Sequence, residues 1–229
     1  EGVPFADLSP DIQSLFPSEF VESEMGLIPK GWEVKSLDKI AQFLNGLACQ
    51  KYPPKSEADS LPVIKIAEMK SGFTQKTNSA SKDVKEQYII KDGDFLFAWS
   101  GSLTTCYWSH GEGVLNQHLF KVSPLYGYTQ HFVASWVDKH LPEFIRIAAD
   151  KATTMGHIKR EHLTQAKVAV PSKEIMSAFE STTGCLLERY KLNNVQSQKL
   201  KRIRDRLLPK LLSGAIEIKN VEDKMDEAS

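Results

Sequence analysis

The sequence predicts an α+β fold: a globule of mixed and antiparallel strands with flanking helices, followed by one long helix of the kind that forms coiled coils. Three observations lead there. Residues 32–124 carry short apolar runs separated by Gly, Pro and Asn turn signals, the pattern of strands and hairpins. A helical stretch and one alternating strand come next. Last is a run from Ser172 to Leu212 with no proline before Pro209. Strands first and helices after is the order of an α+β protein, whereas a parallel α/β sheet alternates the two.

In chain order, residues 1–30 read as a linker with a short helix. Ser9-Pro10-Asp11 supplies an N-cap and a proline at the first helical position. Ile12, Leu15, Phe16 and Phe20 are the side chains available to dock that segment. The stretch from Gly26 to Trp32 reads as an entry turn, and Trp32-Glu-Val-Lys as a first strand. A short amphipathic piece follows around Leu37, Ile40 and Ala41. Asn45-Gly46 signals a turn and Lys51-Tyr-Pro-Pro-Lys55 a loop. Residues 61–67 have the composition of a buried strand. Residues 70–86 are polar and aperiodic, hence a long loop. Lys91-Asp-Gly-Asp94 is a tight turn launching the strand Phe95-Leu-Phe-Ala-Trp99. Cys106-Tyr-Trp108 and Leu119-Phe-Lys-Val122 are its antiparallel neighbours. Residues 128–150 put Phe132, Val133, Trp136 and Val137 on one helical face, with a restart at Pro142. Ala166-Lys-Val-Ala-Val170 alternates and returns as a strand.

The final helix is bounded by Pro171 and the N-cap Ser172 at its start, with Glu174 in the first turn, and by Gly214 at its end. Forty residues at about 1.5 Å each make a rod of roughly 60 Å, too long to bury every face in one domain. Phe179, Leu186, Tyr190, Leu200, Ile203, Leu207 and Leu211 keep three-four spacing and form a pairing seam, with Thr183, Asn193 and Ser197 as polar members. Such a seam predicts pairing with another helix, and for this chain alone a homodimer. Residues 215–229 read as a tail, partly disordered.

The chain has 229 residues, 29 Lys plus Arg and 29 Asp plus Glu. Neutrality hides a gradient: about −5 over residues 1–31, about zero over 32–150, about +8 over 151–219 and about −3 thereafter. A basic C-terminal third points to an anionic partner. No apolar run reaches the roughly eighteen residues of a membrane span. Cys49, Cys106 and Cys185 are odd in number, far apart and without a CxxC, which argues for a reducing, cytoplasmic setting and against a disulfide or zinc framework.

Several segments, in order, carry a family resemblance: Ile28-Pro-Lys-Gly-Trp32-Glu-Val-Lys-Ser-Leu37, Lys91-Asp-Gly-Asp-Phe-Leu96, Asn116-Gln-His-Leu-Phe120, Ala152-Thr-Thr-Met-Gly-His-Ile158, Val170-Pro171 and Leu207-Leu-Pro-Lys-Leu-Leu-Ser-Gly214. Residues 28–219 resemble a target recognition domain and its conserved helical region from the specificity subunit of a type I restriction–modification enzyme. Residues 15–26 resemble the linker before the second such domain, so the resemblance implies a C-terminal half: linker 1–30, recognition domain 31–171, spacer helix 172–214. Met176 departs from the glutamine the family often carries there, and Gly184 from a rigid rod. The resemblance implies a non-catalytic, cytoplasmic DNA-specificity component without metal or cofactor. It implies that the component reads one half of a split site on double-stranded DNA. It implies, too, that modification (methyltransferase) subunits dock on it and bring in the restriction and translocation subunit.

Sequence is read at base edges and phosphate contacts only position the protein. Loops rich in suitable side chains supply the candidates Lys51, Lys55, Lys76, Asn78, Ser102, Thr104, Thr153, Thr154, His157, Lys159 and Arg160, with Lys159-Arg160 expected on phosphate. Asn116-Gln117-His118 reads instead as a turn feeding a strand. Two other function classes remain. Asp59, Glu68 and Lys70 bracket a strand in the spacing of a Mg²⁺-dependent nuclease. A coiled-coil adaptor with no DNA role would use the helix alone. Cys106, His110 and His118 match no zinc spacing, and there is no P-loop, G-x-S-x-G or G-x-G-x-x-G.

Overall fold

The computed structural model describes residues 8–150 and 156–216. The chain divides into two units, Glu1–Lys191 and Leu192–Ser229.

The first unit opens with α1 (Pro10–Ser14), whose cap is the Ser9 hydroxyl accepting from the Ile12 N–H at 3.4 Å. None of its residues is buried; Phe16 just after it reaches Trp32, ring centres 6.4 Å apart. The expected entry turn is in fact half of a hairpin. β1 (Phe20–Ser23) pairs antiparallel with β2 (Gly26–Pro29), and Gly26 takes the φ of 88° that its turn requires. β3 (Glu33–Ser36) pairs with β12 (Lys167–Val170), fastening the start of the globule beside the residues that enter the long helix.

The central sheet has the order β4-β11-β8-β9, all antiparallel: β4 (Ala41–Asn45), β8 (Phe95–Ala98), β9 (Thr104–Tyr107) and β11 (Leu119–Pro124). Strands flanking Phe95–Ala98 on both sides were legible in the sequence; β4 was not. A second sheet runs β6 (Ser79–Ser81), β5 (Ser60–Ile64), β10 (Gly113–Leu115), β7 (Ile89–Ile90), with β10 parallel to β5. β5 stops at Ile64, short of the expected Ala67, because α2 (Ile66–Ser71) begins there. The Glu68 carboxylate accepts the Lys65 backbone N–H at 3.1 Å and so closes the helix start.

β8 explains where the core sits. Phe95 and Phe97 face a cluster with Leu37, Ile40, Phe43, Phe120 and Val122, covered by α3 (Gln130–Asp150) through Phe132, Val133, Val137 and Phe144. Leu96 and Ala98 point the other way, onto Ile64, Ile90, Trp108 and Leu115 of the second layer. The strand is buried on both faces, hence its unbroken apolar run. α3 does not restart at Pro142; it runs through it. Phe144 and Ala148 beyond the proline are buried in the same cluster as Phe132, so packing on both sides outweighs the hydrogen bond that proline removes. α4 (Arg160–Gln165) is a short helix whose N-terminus is capped by the His162 ring, 3.0 Å from the Lys159 N–H.

α5 (Lys173–Leu212) begins at Ser172, whose hydroxyl accepts from the Ile175 N–H at 3.4 Å, and ends at Gly214, with φ 70°. Within the first unit its inner face serves the globule. Ile175 and Met176 are buried, and Phe179 lies 4.6 Å from the His131 ring. The Thr183 hydroxyl meets His131 Nε2 at 2.5 Å, and Tyr190 meets Tyr107 edge-on at 6.1 Å. In the second unit Leu200, Ile203, Leu207, Leu208 and Leu212 are exposed. No helix among the described residues is long and apolar enough to cross a membrane.

Candidate nucleic-acid interface

The two sheets share an end. Phe120 faces both Asn45 and Phe97, so the C-terminal ends of β4 and β8 lie beside the N-terminal end of β11. β10 runs into that same corner parallel to β5, since Asn116 follows Leu115 and its N–H donates to the Ile64 carbonyl at 3.1 Å. Four connections therefore emerge together: residues 65–78, 99–103, 116–118 and 156–162. They hold five Lys or Arg and two Glu. One of those carboxylates, Glu68, is buried with both oxygens engaged, by the Lys65 N–H and the Thr77 hydroxyl, each at 3.1 Å. The surplus is cationic.

The connections are stitched to one another. The Ile158 N–H donates to the Trp99 carbonyl at 3.0 Å, and the Gly101 N–H to the Gly156 carbonyl at 2.8 Å. The Trp99 indole N–H donates to Asn45 Oδ1 at 2.9 Å, and the His157 ring stands edge-on to Trp99 at 6.3 Å. Ser100, 3 % exposed, hydrogen-bonds His118 Nδ1 at 2.8 Å. Lys70 Nζ donates to Ser102 Oγ at 2.8 Å, tying the segment after β5 to the loop after β8. Asn116, 4 % exposed, holds the Gln117 amide at 2.8 Å, and the Leu119 N–H closes the turn on the Asn116 carbonyl at 3.0 Å. The reading of 116–118 as a turn feeding a strand agrees with this geometry. Order in these loops suits recognition, because a preset side chain loses less entropy on binding.

Of the sequence candidates, Asn78, Ser102, His157, Lys159 and Arg160 lie at this end, as does Thr104, which opens β9 opposite Ala98. Thr153 and Thr154 lie outside the described residues. Lys76 sits on the exposed 74–77 turn, and Lys51 is exposed at the end of the 3-10 turn Cys49–Lys51. Lys55 is at the opposite end of β5, 3.4 Å from Asp83 and with its N–H on Asp59. The Lys159 ammonium is exposed, 3.5 Å from Glu161. Arg160, expected on phosphate, has a framework contact instead: its guanidinium donates to the Phe43 carbonyl at 3.2 Å and lies over the Phe120 ring. Lys65, Asn45 and Trp99 were not singled out from sequence; residue type alone gives no sign that three separate strand ends converge.

The nuclease candidates are occupied separately. Asp59 accepts from the Lys55 N–H and the Ser81 hydroxyl, which hold its carboxyl below the usual range. Glu68 caps α2 and Lys70 donates to Ser102. Cys106 packs on the second-layer cluster, and burial pushes its thiol up to about 12. His118 is held by Ser100, and His110 lies against Trp108. Among the described residues no three His, Cys, Asp or Glu side chains converge as a metal site.

The family pattern described as "Type I restriction modification DNA specificity domain" matches residues 29–196. The chain is 25 % identical over 227 residues to the type I restriction enzyme HindI specificity subunit of Haemophilus influenzae, covering 93 % of this chain and 48 % of that one. It is 25 % identical over 209 residues to the MjaIX specificity subunit of Methanocaldococcus jannaschii, covering 85 % and 46 %. The chain thus spans about half the length of the curated relatives it matches. Among solved structures, the HsdS subunit from Thermoanaerobacter tengcongensis aligns with a TM-score of 0.49 at 15 % identity, over 87 % of this chain and 48 % of that one. The S subunit from M. genitalium aligns at 0.48 and 16 %, over 80 % and 46 %.

Proposed function

We infer function from one premise: the chain belongs to the type I restriction–modification DNA specificity family. It is a non-catalytic specificity component that binds duplex DNA through the shared sheet end and reads one half of a split site. Residues 31–171 form the reading domain and residues 172–214 the spacer helix. On that helix modification subunits assemble, and through them the restriction and translocation subunit. The setting is the cytoplasm. One observation carries the DNA-binding assignment: four loops with a cationic surplus, cross-linked by Lys70–Ser102, Gly101–Gly156 and Ser100–His118, emerge at one end of the sheets. The exposed Leu200, Ile203 and Leu207 support helix pairing, with a second copy of this chain as the occupant when no other specificity half is present.

The test is Lys70→Glu with Lys159→Glu, chosen over Arg160 because the Arg160 guanidinium is bound to the Phe43 carbonyl of the central sheet, whereas Lys70 touches only the loop hydroxyl of Ser102 and Lys159 only its neighbour Glu161. Each lost phosphate contact removes about 0.9 from the slope of log affinity against log salt, so the pair lowers it by roughly 2. Lys55→Glu, at the far end of β5, leaves it unchanged. Equal slopes for wild type and the double variant would remove this end from the interface.

A further inference from the structure

We propose that Lys65 and Asn78 together select guanine. The inference rests on the DNA-binding reading above and deepens it by assigning one base to one pair of side chains.

Lys65 follows β5 and Asn78 precedes β6. The antiparallel pairing of Pro62 with Ser79, and the Val63 N–H donating to the Asn78 carbonyl at 2.7 Å, set the two residues side by side at the shared sheet end. The frame beneath them is ordered. Buried Glu68 accepts from the Lys65 N–H and from the Thr77 hydroxyl, and Thr77 Oγ1 accepts from the Thr74 N–H at 2.9 Å. Both side chains line a cavity of about 180 Å³ with Gln50, Ser79 and Asn116. Asn116 is already committed there, its amide N–H on Gln117.

The chemistry follows from who donates. The Lys65 ammonium donates to Asn78 Oδ1. Asparagine ordinarily reads adenine with both ends of its amide, Oδ1 accepting from N6 and Nδ2 donating to N7. Here Oδ1 is taken, and what the pair has left to offer is donors: the Asn78 NH2 group and the remaining ammonium protons. In the major groove, guanine alone sets two acceptors, O6 and N7, side by side; adenine and cytosine each present an amino donor, and thymine one acceptor beside a methyl. A donor-only pair therefore fits guanine. Asn78 is exposed and Lys65 half-buried, and neither belongs to a core cluster, so their replacement leaves the core intact.

The experiment is selection from a random-sequence duplex library, with the full chain assembled with its modification subunits. Wild type is expected to enrich a motif with a fixed guanine. Asn78→Ala lowers the guanine preference at one position about tenfold or more and leaves the other positions unchanged, since a two-point base contact is worth that discrimination. Lys65→Met frees Oδ1, so adenine becomes acceptable at the same position, and Lys65→Arg keeps guanine. An unaltered motif in every variant overturns the assignment while leaving DNA reading intact. So does a uniform loss of affinity with base preferences unchanged, which means phosphate contact only. Failure of wild type to bind any duplex overturns both readings.

Discussion

Gly46→Ala is expected to destabilise the globule by at least about 3 kcal/mol. A Cβ on Gly46 would stand 2.2 Å from the Asn116 carbonyl oxygen, 2.5 Å from the Asn116 carbonyl carbon and 2.5 Å from the Leu115 oxygen. Ordinary carbon contacts begin near 3.5 Å, so the backbones must part by about an ångström. None of the three atoms is a side-chain end that can swing away. The contact is also locked: Gly46 N–H donates to Leu119, Leu47 N–H to Leu115 at 2.8 Å and Gln117 N–H to Leu47 at 2.8 Å. Overpacking alone costs about 1–3 kcal/mol, and each strained hydrogen bond adds roughly 1. For a domain of this size about 3 kcal/mol corresponds to a Tm roughly 6–12 °C lower. Thermal melting and urea denaturation followed by Trp fluorescence read this directly. The 116–118 turn moves with Gly46, so DNA affinity should fall in the same variant at temperatures where it is still folded. A Gly46→Ala protein that melts within about 1 °C of wild type would refute the close-approach account.

The same substitution at Gly184 should act in the opposite direction. Its Cβ would meet only the flexible end of Glu180, and alanine favours the helix by about 1 kcal/mol, raising Tm by roughly 2–4 °C; a decrease would mean that Glu180 cannot yield. Thiol labelling should find one fast cysteine and two slow ones. Cys185 is exposed, while burial raises the thiols of Cys49 and Cys106, and only the thiolate reacts. Since Cys106 titrates at about 12, its labelling stays slow from pH 7 to 9; mass spectrometry showing Cys106 modified as fast as Cys185 at pH 8 would contradict its packing. Leu200→Glu with Leu207→Glu should turn a self-associated chain into a monomer by light scattering. A wild-type monomer at every concentration would end the helix-pairing proposal.

Legibility followed the range of the signals. The turn Lys91-Asp-Gly-Asp94 with the strand after it, the Ser9 and Ser172 caps and the Gly214 stop are written in neighbouring residues, and they fold as read. Short elements were not readable, whether held by a distant strand, as β4 is by β11, or closed locally, as α2 and α4 are. β4 alternates only over Ala41-Gln42-Phe43, and α2 and α4 are six residues each, too short to show a helical period, their starts closed by Glu68 and His162 reaching back to a backbone N–H. Gly46 looked like a turn because Asn-Gly is a turn signal, yet it serves close approach. The interface was half visible. Of the proposed interface, the polar loops give Asn78, Ser102 and Lys159 as candidates, but only strand register brings them to one end, and only register reveals that Lys55 is at the other. The seam on α5 was read as one partner-facing stripe. In the first unit Phe179, Thr183 and Tyr190 face the globule's own His131 and Tyr107.

The decisive measurement is site-specific photo-crosslinking of the full chain to duplex DNA. A crosslinking residue at Ser102, on the shared sheet end, is expected to capture DNA, and the same residue at Asp83, beside Lys55 at the far end of β5, is expected to capture none. Capture from Asp83 and none from Ser102 would contradict the placement of the DNA interface.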